Sequence, residues 1–267
     1  MLWWQAFWLG LTQGLTEFLP ISSSGHLEIM QNLMGGATDN SRHLIEVLNI
    51  GTLLVLIIYY RHRIVEIVQD VIRRKKWDFL VNIIITCIPA GLAGLLLSDF
   101  IDNSPFFASE VVLAIMMALL GVVMIIIDRL PRLSRLKDET KLSRRRALYI
   151  GLAQMLALIP GTSRSGTTIV AGRLVGLDNK SAADYSFLAS IPLMIGVVCH
   201  SLLSEETRTF MAENLAMVLF ANILAFAAGG LIIKWALRFL RRKDALKYFG
   251  WYRVILATTI IIFLLLK

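Results

Sequence analysis

GLTQGLTEFLPISSSGHL, residues 10–27, is the stretch whose reading decides the fold of this chain. It begins as an apolar helix, sets Gln13 and Glu17 four residues apart, and then breaks at Pro20 into small hydroxyl residues, a glycine and a histidine. Apolar sequence on both sides puts the stretch at bilayer depth, where an ionisable group costs at least about 2.5 kcal/mol and marks a functional position. A break of this kind is tolerated there where protein or a water-filled cavity surrounds it. The stretch has an echo, GLAQMLALIPGTSRSGTT, at residues 151–168.

The whole chain agrees with that placement. Of its 267 residues 57% are hydrophobic and 17% charged, with a mean hydropathy of +0.68. Soluble domains stay near about 45–50% apolar, so the composition excludes a water-soluble globule and indicates an all-α polytopic membrane protein. The net charge of +8 does not point to nucleic acid, because the basic residues sit in a few short loops between apolar runs. Cys87 and Cys199 each lie inside an apolar segment, with no disulfide framework or metal-ligand spacing. The opening MLWWQAFWLG lacks the positive flank of a signal peptide and is expected to be part of the mature structure.

Apolar runs able to span a bilayer fall at 44–60, 79–97, 106–128, 181–203, 214–236 and 249–266. Two further segments, 1–19 with 26–36 and 147–160 with 166–177, are interrupted by the two breaks. Each half is too short to cross alone, so both are expected to be re-entrant helix–loop–helix pairs. The loops at 61–76, 129–146 and 238–247 hold most of the Lys and Arg, whereas 98–105 holds none and 203–213 only Arg208. All three basic loops lie on one side under this list of spans, which makes them cytoplasmic and places both chain ends outside.

An internal repeat gives the same architecture independently. A shift of 141 residues lays Gly10 on Gly151, Leu11 on Leu152, Gln13 on Gln154, Leu15 on Leu156, Ser22 on Ser163, Ser24 on Ser165 and Gly25 on Gly166. Each copy holds one re-entrant pair and three transmembrane helices, an odd number, so the copies must be inverted relative to each other. Repeat one covers about 1–128 and repeat two about 147–267, joined by the basic cytoplasmic loop 129–146. Inverted repeats with broken helices meeting near the midplane mark a binding site at the breaks.

Both breaks lead into a new half-helix behind Ser, Thr or Gly, and a helix N-terminus attracts anions. Ser22, Ser24 and Gly25 in one copy, and Ser163, Ser165, Gly166, Thr167 and Thr168 in the other, are the expected phosphate donors; each is as readily explained as a helix cap. The copies differ where it matters: Glu17 and Ser23 in the first stand opposite Leu158 and Arg164 in the second. Gln13 and Glu17 share a helix face and offer oxygens to a hard divalent cation, Mg²⁺ or Ca²⁺. Alternatively Gln13 satisfies a neighbouring backbone group while Glu17 pairs with Arg164. His26 follows Ser23 at helical spacing, as a general base for a serine nucleophile or an acid for a leaving group. Arg164 without an anion would be a buried unpaired charge. Glu46 and Asn49 lie on one face of a span and either line the cavity or bond between helices.

At these residues the chain resembles the undecaprenyl-diphosphate phosphatase family, the integral-membrane, bacitracin-resistance type. The resemblance runs over nearly the whole length and is carried by QGLTEFLPISSSGH, Gln13 to His26, and PGTSRSGTT, Pro160 to Thr168. It implies removal of the terminal phosphate from a polyprenyl diphosphate lipid, regenerating the monophosphate carrier for peptidoglycan and other envelope polymers in a bacterial inner membrane. It also implies a divalent-cation requirement. The family's acidic motif falls on Gln13 and Glu17, its serine–histidine segment on Ser22, Ser23 and His26, and its second motif on Ser163, Arg164 and Thr168. With the neutral Gln13 in the first acidic position, Glu17 becomes the metal ligand or base. Ser23, with Ser22 behind it, is then the expected nucleophile, and direct attack by water is the alternative. Architecture alone also suits a transporter or flippase for a lipid phosphate.

Overall fold

The apolar runs fold as helices and the interruptions at Pro20 and Pro160 remain interruptions. The computed structural model describes residues 2–130 and 136–266; residues 131–135, with Arg132 and Arg135 of the connecting loop, lie outside the described residues. In chain order the helices are α1 (Trp3–Thr16), α2 (Ser23–Leu33), α3 (Asp39–Tyr59), α4 (Arg61–Ile72), α5 (Asp78–Asn103) and α6 (Glu110–Arg129). Then come α7 (Arg144–Gln154), α8 (Arg164–Leu174), α9 (Asn179–Leu203), α10 (Glu205–Glu213), α11 (Leu215–Leu240) and α12 (Ala245–Leu266). A 3-10 turn, Met155–Leu158, extends α7 towards the second break. The pairing of Leu136 with Leu177 is an isolated bridge.

Polar residues set many of the helix starts. Thr38, Ser109, Asp178 and Ser204 each accept a hydrogen bond from the backbone N–H three residues on, which opens α3, α6, α9 and α10. Among the described residues, six helices are long and apolar enough to cross a membrane: α3, α5, α6, α9, α11 and α12. Their outward faces carry large apolar side chains, with Leu96 80% and Leu231 81% exposed. Such a surface requires lipid as its solvent, and the chain is an all-α polytopic membrane protein.

The segments 61–76 and 203–213, legible in the sequence only as charged loops, contain α4 and α10. Ile64 and Ile67 of α4, three apart, pack on the core; Thr207 and Phe210 of α10, also three apart, are buried. Charge dominates both segments; the Ile64–Ile67 stripe of α4, and in α10 the buried Phe210 with the Thr207 hydroxyl bonded to Glu46, dock them on the bundle. The elements keep the 141-residue spacing of the sequence: α2 opens at Ser23 and closes at Leu33, α8 opens at Arg164 and closes at Leu174.

In lipid the hydrophobic effect does not drive helices together, so small residues and close backbone approach hold the bundle. Helix α1 lies on α11, with Gly10 and Gly14 facing Ala221, Ala225 and Ala228; α6 and α12 meet at Gly121 and Gly250. A Cβ added at Gly14 would stand 2.5 Å from the Ala225 carbonyl oxygen and 2.8 Å from the Ala228 Cβ. Gly14→Ala is therefore expected to push α1 off α11 at a cost of about 1–3 kcal/mol, seen as a lower thermal midpoint in detergent. An unchanged midpoint would show that the two helices are not packed at this distance. The same contact aims Gln13 and Glu17 inward, and Phe18, 1% exposed, plugs the core edge-on to Phe187 at 6.1 Å.

Candidate active site

Both breaks end in the same local geometry. Ser22 and Ser163 cap α2 and α8 with φ of 76° and 69°, left-handed values that cost a non-glycine residue about 1–3 kcal/mol each. Ser22 Oγ accepts from the Gly25 N–H at 3.3 Å and Ser163 Oγ from the Gly166 N–H at 3.2 Å. Ser24 Oγ lies 3.3 Å from Ser22 Oγ, and Ser165 Oγ 3.4 Å from Ser163 Oγ. The carbonyl of each strained serine takes a bond from a side chain four residues on: His26 Nδ1 at 2.6 Å, and Thr167 Oγ1 at 2.8 Å. His26 and Thr167 are equivalent under the 141-residue shift.

The two breaks meet at Glu17 and Arg164. Arg164 Nη2 donates to Glu17 Oε1 at 2.5 Å, and Ser23 Oγ donates to Glu17 Oε2 at 2.6 Å. Gln13 Nε2 donates to the same Oε2 at 3.2 Å and approaches Asn49 Oδ1 at 3.3 Å and Thr52 Oγ1 at 3.4 Å. The carboxylate is 9% exposed and the guanidinium 21%. Arg164 Nη2 also contacts Met194 Sδ at 3.7 Å, while Arg164 Nη1 is buried with no hydrogen-bond partner. A donor of a permanent cation left without an acceptor at this depth is costly unless an anion takes it.

The remaining residues singled out by sequence divide into two groups. Ser165 Oγ donates to the Leu19 carbonyl at 3.3 Å, tying the second break to the first. Thr168 Oγ1 bonds the Arg164 carbonyl at 2.9 Å and Ser186 Oγ at 2.5 Å, which fixes the start of α8. His26 does not bond Ser23: its Nε2 faces Tyr252 Oη at 2.7 Å. Of the pair on α3, Asn49 reaches the centre through Gln13, whereas Glu46 accepts from Thr207 Oγ1 at 2.8 Å on α10. A cleft lined by Asp39, His43, Glu205, Glu206 and Phe210 shares no residue with this centre.

Arg253, passed over in the sequence, ties the two breaks together. It is 0% exposed and holds backbone carbonyls of both breaks and of α6: Gly161 at 2.7 Å, Thr162 at 3.3 Å, Pro20 at 3.4 Å and Met117 at 3.1 Å. One planar fork thus fixes the two breaks relative to each other. The available signal was a lone arginine inside the apolar run 249–266, the feature that singled out Arg164. Arg253→Met is expected to strand these carbonyls at a cost of about 3 kcal/mol or more, with phosphate-ligand binding and thermal midpoint falling together. A midpoint within measurement error of the parent would contradict the clamp.

Around Glu17 lie the oxygen-bearing side chains Gln13, Ser23, Asn49 and Thr52; Gln13 turns its amide Nε2, not its oxygen, to Glu17, Asn49 and Thr52, and Glu17 pairs with Arg164. Among the described residues no three His, Cys, Asp or Glu side chains gather around one ion position. With the Gln13 amide turned to present its oxygen, one carboxylate with amide and hydroxyl oxygens would suit a hard divalent cation without forming a closed protein cage.

The model of the family described as bacitracin resistance protein BacA matches residues 6–259. An undecaprenyl-diphosphatase of Parvibaculum lavamentivorans is 34% identical over 96% of this chain and 94% of its own length. An undecaprenyl-diphosphatase of Acinetobacter baumannii is 34% identical over 97% and 94%, and undecaprenyl-diphosphatase 3 of Acinetobacter baylyi 34% over 98% and 97%.

Proposed function

The chain belongs to the bacitracin resistance protein BacA family, and from that membership we infer that it hydrolyses undecaprenyl diphosphate to undecaprenyl phosphate and inorganic phosphate in a bacterial inner membrane. The observation that carries the reading to particular residues is the Glu17–Arg164 contact across the two breaks, with Ser23 on the carboxylate and a buried guanidinium nitrogen awaiting an acceptor.

Bound there, the terminal phosphoryl group lies between Arg164 and the N-terminal ends of α2 and α8, which offset its negative charge. Ser23 Oγ attacks the terminal phosphorus and gives its proton to Glu17. The new Ser23 O–P bond forms as the anhydride P–O bond breaks, and undecaprenyl phosphate leaves with the bridging oxygen. Water then hydrolyses the serine phosphoester, releasing inorganic phosphate and restoring the Ser23 hydroxyl, and His26 carries the proton of this second half. Glu17, with Gln13 once its amide oxygen is turned inward and with Asn49 beside it, would hold a Mg²⁺ or Ca²⁺ ion, whose chemistry there would be to neutralise charge on the phosphate oxygens. The 2.6 Å bond between Ser23 and Glu17 favours serine over water as the nucleophile. The polyprenyl tail leaves the site between helices into lipid.

The finer architecture belongs to the same proposal. The chain is read as two inverted repeats, about 1–128 and 147–267, each with one re-entrant pair and three transmembrane helices. Support comes from the matched breaks and from α1 packing on α11 while Gly151 of α7 packs on Thr86 of α5. The loop 129–146 is then cytoplasmic and both chain ends extracytoplasmic, the side set by the Lys and Arg of the basic loops.

Purified protein in detergent, where no gradient exists, is expected to release phosphate from undecaprenyl diphosphate. Chelator should lower the rate by about 100-fold or more, with Mg²⁺ or Ca²⁺ restoring it. Undiminished release in chelator would remove the cation from the account. Movement of the lipid across liposomes without any phosphate release would instead identify a carrier.

A further inference from the structure

His26 does two things, and only one of them has a counterpart in the second repeat. Its Nδ1 holds the Ser22 carbonyl at 2.6 Å, as Thr167 Oγ1 holds that of Ser163 at 2.8 Å. A threonine therefore suffices for the bond that secures a strained cap. What the imidazole adds is Nε2, and Nε2 is met by Tyr252 Oη at 2.7 Å. The two rings lie parallel, 6° apart, with centroids 5.7 Å from each other.

The tautomer follows from these partners. A carbonyl oxygen only accepts, so Nδ1 carries the hydrogen, and in the neutral ring Nε2 has the lone pair. The phenol then donates to it. Tyr252 stands beside Arg253, whose guanidinium holds the Pro20 and Gly161 carbonyls, so α12 delivers the phenol and the clamp from adjacent positions. Tyr252 is exposed at 44%, and α12 carries it to the break.

We propose that Tyr252 is the hydroxyl through which His26 moves its proton in the hydrolysis: the phenol gives its hydrogen to Nε2 as its oxygen takes one from the attacking water, and the reverse transfer later returns the proton to solvent. The inference rests on the reading of His26 as the proton carrier of the second half-reaction. The effect of losing this hydroxyl is modest, since a water molecule can take its place, and it belongs in turnover rather than in binding, because the hydrogen bond that places Tyr252 is to His26.

The experiment compares phosphate release from undecaprenyl diphosphate by Tyr252→Phe, His26→Thr and the double variant, with thermal midpoints for each. Tyr252→Phe keeps the ring and removes the hydroxyl; His26→Thr reproduces the bond that Thr167 makes and removes Nε2. Tyr252→Phe is expected to lower kcat about tenfold with KM and midpoint unchanged, and to lower nothing further in the His26→Thr background. Unchanged kcat in Tyr252→Phe, a loss appearing in KM or midpoint instead, or an equal loss in both backgrounds would overturn the role of Tyr252. Full activity in His26→Thr would overturn the reading of His26 itself, a separate result.

Discussion

Arg164→Ala is expected to lower phosphate release by about 10³-fold or more. Nη2 is committed to Glu17 at 2.5 Å and Nη1 is buried with nothing to bond, so in the proposed complex a phosphoryl oxygen would complete the guanidinium. In hydrolysis of a phosphoanhydride the chain has little covalent work to do beyond placing a nucleophile, and charge stabilisation supplies most of the acceleration. Alanine removes that term and also leaves Glu17 without its counter-charge. Arg164→Lys separates the two losses: it keeps the charge beside Glu17 and gives up the fork, and its rate is expected to fall by about 100-fold with an unchanged thermal midpoint. Release by Arg164→Ala within tenfold of the parent would exclude Arg164 from the phosphate site.

The second large effect is at Glu17. Glu17→Gln preserves the shape and still accepts from Ser23, but it no longer takes a proton and no longer neutralises Arg164. A loss of about 10³-fold is expected. The residual rate carries further information. If Glu17 is also the carboxylate that holds the divalent cation, chelator should leave the residual rate of Glu17→Gln almost unchanged while still lowering that of Arg164→Ala. A residual rate equally sensitive to chelator in both variants would move the cation to other donors.

Much of this was legible in the sequence because bilayer physics leaves few options. Apolar runs of spanning length fold as helices, and Glu17 and Arg164, read as costly charges one in each repeat, are in contact. The Ser–Gly segments after Pro20 and Pro160 form caps, although the left-handed backbone of Ser22 and Ser163 has no signature in residue types that usually avoid it. The helices α4 and α10 were hidden by charge, since Ile64 with Ile67, and Thr207 with Phe210, make too short a stripe to read in a polar segment. Arg253 and Tyr252 were hidden by distance. They lie more than two hundred residues from Pro20 and His26 in sequence, and nothing in α12 announces which carbonyls or ring it will meet. The spacing of Ser23 and His26 suggested a direct pair; the structure gives Ser23 to Glu17 and His26 to Tyr252, because successive turns of α2 point these two side chains at different neighbours.

The central claim is that a carboxylate from one break and a guanidinium from the other act on one phosphate as a unit. Its most direct test is a double-mutant cycle on phosphate release with Glu17→Asp, Arg164→Lys and the pair combined, all mild enough to leave measurable rates. Groups that act as a unit lose their effect together, so the double variant is expected to be about as slow as the slower single variant. Losses that multiply would show two independent contributions and contradict a single site.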